Sequence, residues 1–120
     1  MPNLGFGRSK RLLTKAAYKA VFDHSPYRVS HRNLLLLARP NGLKEARLGL
    51  IVAKKNVRLA VGRNRIKRVV RDSFRLNQQS LSSIDIIFLA RRGLDRLEPA
   101  VQQKLLLDSW RKLSRQISKV

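Results

Sequence analysis

The chain has 120 residues, 43% of them hydrophobic, and sets 27 lysines and arginines against seven aspartates and glutamates, a formal charge of +20 at pH 7. That length holds one domain with a modest core, and the absence of cysteine excludes disulfides, zinc–thiolate sites and thiol nucleophiles and fits a cytoplasmic protein. A compact body so rich in cations repels itself and attracts dense polyanions, which makes nucleic acid the expected partner; no apolar run approaches the ~20 residues of a membrane-spanning helix.

Residues 1–13 read as a basic arm with Arg8 and Arg11, followed by a globular region over 14–118. The arm lacks a signal-peptide core or cleavage site and is expected to be part of the mature domain. Thr14 is placed to cap a short helix, its hydroxyl accepting an otherwise unpaired backbone N–H. Ala17, Tyr18, Val21 and Phe22 give that helix one apolar face, and His24, Ser25 and Pro26 end it. The chain is β-like from Tyr27 to Arg39, most clearly at Leu34–Ala38. Arg39-Pro40-Asn41-Gly42 is turn chemistry, and Arg47–Lys55 follows as the next clear strand, so these two strands are expected to pair antiparallel. A basic helix starting at Gly62 or Asn64 runs to about Leu76. Ile84–Ala90, continuously apolar, predicts a strand buried on both faces. Pro99 suits the first turn of a last helix, whose Leu106, Trp110, Leu113 and Ile117 form one stripe. The order is α-β-β-β-α-β-α, a small α/β sandwich with a single mixed sheet.

The basic helix carries the functional signal. At 100° per residue from Val61, Val69, Ile66, Val70 and Phe74 fall between about 80° and 220°. Lys67, Arg71, Asn64, Arg75, Arg68 and Arg65 fill the opposite arc, and Arg63 lies at the entry to the helix. Solvated helix faces normally mix signs, because like charges at i,i+4 destabilise; this face has only Asp72 to offset its cations. Arginine outnumbers lysine there, which favours forked recognition of phosphate. Lys54, Lys55 and Arg58 lead into the helix, and Arg91 and Arg92 follow the last strand. If those two strands are parallel neighbours, their C-terminal ends bring these cations to one edge.

The ordered motif GLIVAKKNVRLAVGRNRIKRVVRDSFR, with Arg63-Asn64-Arg65 at its centre, strongly resembles the bacterial ribonuclease P protein family. The resemblance extends through AAYKAVF (16–22) and DIIFLARRG (85–93) and covers about residues 8–115. It implies a non-catalytic protein subunit bound to a large catalytic RNA, which uses Mg²⁺ to remove the 5′ leader of precursor tRNA. No catalytic residue is implied in the protein, and no obligate protein partner. Arg63, Asn64, Arg65, Lys67, Arg68, Arg71 and Arg75 would hold the catalytic RNA. Tyr18, Phe22, Leu37, Lys54, Lys55 and Arg58 would border the leader cleft, with Arg8, Arg11, Arg91 and Arg92 as further basic contacts. Where relatives often carry an aromatic in the strand after the first helix, this chain has leucines, Leu37 being the best match, so apolar packing replaces stacking there. The resemblance also implies a left-handed crossover through the basic helix, against the ~98% right-handed norm.

A protein-only nuclease would need clustered carboxylates for a two-metal site, and the seven acids are scattered, only Asp95 and Glu98 lying three apart. His24 and His31 sit around a proline-containing turn and read as surface histidines near RNA. The glycines make no phosphate-loop pattern, and Gly49 in mid-strand permits close packing or close approach of RNA. The rival readings are a general RNA-binding module, a DNA-binding helix and an independent hydrolase.

Overall fold

A computed structural model describes residue 11 and residues 14–118. Helix α1 (Lys15–Asp23) is followed by strands β1 (Tyr27–His31), β2 (Leu34–Pro40) and β3 (Arg47–Ile51). Then come α2 (Ala60–Asn77), β4 (Ile84–Ala90) and α3 (Pro99–Ser118), with short 3₁₀ turns at Gln78–Leu81 and Leu94–Arg96. Thr14 caps α1 as its residue type predicts, Oγ1 accepting the Ala17 N–H at 3.1 Å.

The four strands lie in the order β1-β2-β4-β3, with β1/β2 and β2/β4 antiparallel and β3/β4 parallel. This corrects the expected pairing of Leu34–Ala38 with the Arg47 strand. Those strands do run oppositely, but β4 inserts between them, Leu37 and Gly49 both lying opposite Ile87. The physical reason is burial. β4 is the most apolar strand, with every residue but Leu89 buried, and takes the central position where both faces are covered. Pro40 ends β2, and the Asn41 side chain accepts the Leu43 N–H at 2.8 Å, so the 39–42 turn forms but leads across β4 instead of closing a hairpin. β3 also ends earlier than the apolar run suggests, because the N–H groups of Asn56 and Val57 turn back to the Ala53 carbonyl.

The sheet has two unequal sides. On one, α2 contributes Ile66, Val70 and Phe74 and α3 contributes Leu106, Trp110 and Leu113 to the main core over Leu34, Leu36, Leu48, Ile86 and Phe88. Phe74 and Trp110 meet edge to face, centroids 5.9 Å apart at 66°, and the Trp110 indole N–H donates to Ser73 Oγ at 2.8 Å. On the other side, α1 alone covers a small core of Val21, Leu37 and Ile87. Its approach depends on a missing side chain: a Cβ at Gly49 would stand 2.7 Å from the Tyr18 ring. Gly49 therefore serves the packing of α1, one of the two roles its mid-strand position allows. At the edge of this side, Arg47 makes a two-pronged pair with the buried Asp85 (2.7 and 2.6 Å), and Asn41 donates to the same carboxylate. The hydrogen bond to Asp85 holds the Arg47 pKa above its ordinary value despite partial burial.

Candidate nucleic-acid interface

α2 sorts its side chains as the 3.6-residue period demands. Ile66, Val70 and Phe74 are buried and Val69 partly so, while Asn64, Arg65 and Arg68 are exposed and Lys67, Arg71 and Arg75 half-buried. The helix begins earlier than its composition suggests, at Ala60, with Leu59 at the N-cap position and no side-chain cap. Arg63, one turn in, binds the preceding loop instead: its Nη1 donates to the carbonyls of Val57 and Arg58 at 3.1 and 2.8 Å. One prong of Arg63 thus fastens the loop that starts the helix, a role that charge counting misses.

Asn64, Arg68, Arg71, Asp72 and Arg75 line an open groove of about 520 Å³, and Arg11 reaches the same groove from the N-terminal arm. Arg11 is placed there by a parallel bridge to Leu48 at the outer edge of β3. Arg71 has its Nε buried with no protein partner, so the lining is not self-satisfied. Four guanidinium groups against one carboxylate give this groove a net positive charge, chemistry suited to anions such as phosphates. Arg65 points elsewhere along the same helix and lines a second, apolar pocket with Arg58.

The parallel pairing of β3 and β4 brings their C-terminal ends together. Lys54, Lys55 and Arg58 are exposed beyond β3, and Arg91 and Arg92 follow β4. Asn56 ties the two ends, its amide donating to the Ala90 carbonyl at 3.0 Å. Arg91 is committed locally, donating to Ser30 Oγ and the His31 carbonyl. Arg92 is exposed. His31 Nδ1 accepts the Asn33 N–H, which gives this histidine a place in the β1–β2 turn, and His24 caps the C-terminus of α1.

On the α1 side, Phe22 is 47% exposed, whereas Tyr18 lies half-buried on Gly49. Leu37 is buried beneath α1 and closes the floor of that side; Leu35, two residues back on the same face, is the more open leucine. Pattern alone does not separate the two, since both alternate onto one face. Arg8 lies outside the described residues. Among the described residues no group of three or more His, Asp or Glu side chains is placed to hold a metal ion, and no helix is long and apolar enough to cross a membrane.

Fold and groove together define a small basic α/β domain with an arginine-lined groove along its central helix. The ribonuclease P family model matches residues 6–114, so the chain belongs to the ribonuclease P protein family. It is 51% identical over 115 residues to the ribonuclease P protein component of Pseudomonas putida strain GB-1, covering 96% of this chain and 86% of that one. To the Chromohalobacter salexigens component it is 49% identical over 119 residues, with 99% and 93% covered. Among solved structures, a mutant RNase P protein of Staphylococcus aureus superposes with a TM-score of 0.80 at 26% identity, covering 87% of each chain. The Thermotoga maritima RNase P protein gives 0.74 at 28%, with 88% of this chain and 96% of that one covered.

Proposed function

We propose that this chain is the protein subunit of a ribonucleoprotein ribonuclease P, in which a catalytic RNA performs the Mg²⁺-dependent removal of the 5′ leader from precursor tRNA. The observation that carries this reading is the groove on α2, where Arg68, Arg71 and Arg75 converge with Arg11 and an orphaned guanidinium nitrogen awaits an acceptor. Its occupant is the phosphate backbone of the catalytic RNA. The exposed Phe22 and the lysines beyond β3 take the single-stranded leader, where an aromatic face binds unstacked bases with little sequence demand. Mg²⁺ rests on the RNA and substrate phosphates. The chain's acids are dispersed by the fold, Asp85 engaged by Arg47 and Asn41 and Asp23 by Lys19. The protein therefore acts by neutralising charge and holding the leader, and the phosphodiester chemistry belongs to the RNA.

The test is cleavage of 5′-labelled precursor tRNA at low Mg²⁺ with the cognate catalytic RNA, with and without the protein, and with protein alone. Stimulation only when both are combined is the expected result. Cleavage by protein freed of RNA would overturn it, and tight binding to many RNAs without stimulation would indicate a general RNA-binding module instead.

A further inference from the structure

The start of α2 holds a second pocket that phosphate binding does not explain. It is a cavity of about 270 Å³ between the first turns of α2 and the 3₁₀ turn at Leu94–Arg96. Val57, Leu59, Val61 and Ile66 give it apolar walls. Leu59 and Val61 are 62% and 73% exposed and adjoin each other at the start of α2, whereas Leu76, the other large exposed aliphatic of this helix, lies at its far end. Arg58 and Arg65, both exposed, lie on its lining, and Asp95 supplies its one carboxylate. Gln102 also lines it, its side-chain amide oriented by donation to the Leu94 carbonyl. Gly62 also lines it and packs closely on Val57, since a Cβ there would stand 3.2 Å from that side chain.

We propose that this pocket takes a single unstacked nucleobase of the catalytic RNA, with Asp95 selecting a base edge that donates hydrogen bonds. The assignment rests on the binding of that RNA by α2 argued above. Asp95 and the aliphatic walls favour a flat base within the pocket over a phosphate, which Arg58 and Arg65 can meet at its rim. A flat heterocycle suits both: its faces pack on Leu59 and Val61, and Arg58 and Arg65 meet the phosphates on either side. A carboxylate accepts but does not donate, so it favours guanine, whose exocyclic amino group and ring N–H donate side by side, over bases that present acceptors. Arg65 on the pocket and Arg68 on the groove lie three residues apart on α2, so one strand of RNA would place backbone along Arg68 and Arg71 and a base at the helix start.

The double substitution Leu59→Ser with Val61→Ser tests this. Both side chains are exposed, so the fold should survive, and no cation is lost. Binding to the catalytic RNA should weaken about 10-fold while its salt dependence keeps the wild-type slope. Base-specific chemical probing should show one unpaired nucleotide protected by the wild-type protein and reactive again with the double variant. Asp95→Asn should remove the preference for guanine over adenine when that nucleotide is exchanged. Wild-type affinity and an unchanged probing pattern for the double variant would overturn the proposal and leave the pocket to a protein partner. The larger reading would then still stand, because its failure shows separately, as wild-type protein that does not bind the catalytic RNA.

Discussion

The two sides of the sheet are built on different terms. The α2/α3 side buries an extensive core, with Phe74 and Trp110 fully enclosed, while the α1 side rests on Val21, Leu37 and Ile87 and a ring laid on a glycine. The contrast follows from what each side bears. α2 places Lys67, Arg71 and Arg75 at i,i+4 spacing, each like-charge pair costing about 0.2–0.5 kcal/mol. Only a deep apolar anchorage holds such a helix in place before its partner neutralises it. α1 carries no comparable charge and can be held lightly, leaving Phe22 exposed and Leu35 only partly buried.

The sharpest way to break this comparison is to remove one anchor from each side. Trp110→Ala should lower the unfolding free energy by about 3–5 kcal/mol, the range for deleting a buried aromatic, whereas Val21→Ala should cost about 1–2 kcal/mol. Urea denaturation of both variants measures the difference, and equal losses would erase the asymmetry. Next in size, Asp85→Ala leaves Arg47 without its carboxylate. Arg47 keeps 29% of its side chain exposed, so the loss should be about 2 kcal/mol, below the 3–5 of a fully buried pair. Gly49→Ala is smaller in stability, about 1 kcal/mol, because the Tyr18 ring can swing away from the new methyl group. It should nevertheless shift α1 and reduce discrimination between precursor and mature tRNA while leaving affinity for the catalytic RNA intact. Smallest in stability is Arg68→Ala on the exposed face of α2. It should leave the melting temperature unchanged and reduce the slope of log affinity for the catalytic RNA against log salt by about 0.7–0.9.

Much of this was legible before any coordinates. The cationic arc of α2 and its buried stripe follow from spacing alone, as do the Thr14 cap, the bounds of β4 and the start of α3 at Pro99. Strand neighbours were not legible, because β2 and β3 are adjacent in sequence and separated by a turn motif, and only competition for the central position reveals that β4 divides them. The roles of individual cations were also hidden. Arg63 and Arg71 read alike in the sequence, yet one fastens the loop before its helix and the other holds a buried, unpartnered nitrogen at an open groove. Composition reports charge; which charges are engaged within the protein depends on carbonyls brought close by folding. Leu35 and Leu37 show the same limit, since alternation assigns the face and only α1 decides which leucine it covers.

The central claim is a division of labour: α2 holds the catalytic RNA and the α1 side senses the leader. The most direct measurement is the affinity of Arg68→Ala and Phe22→Ala proteins for the catalytic RNA, together with the affinity of each reconstituted holoenzyme for precursor and mature tRNA. The account predicts that Arg68→Ala weakens the first binding only, and that Phe22→Ala weakens only the preference for precursor over mature tRNA. Two variants that lower all three affinities alike would contradict it.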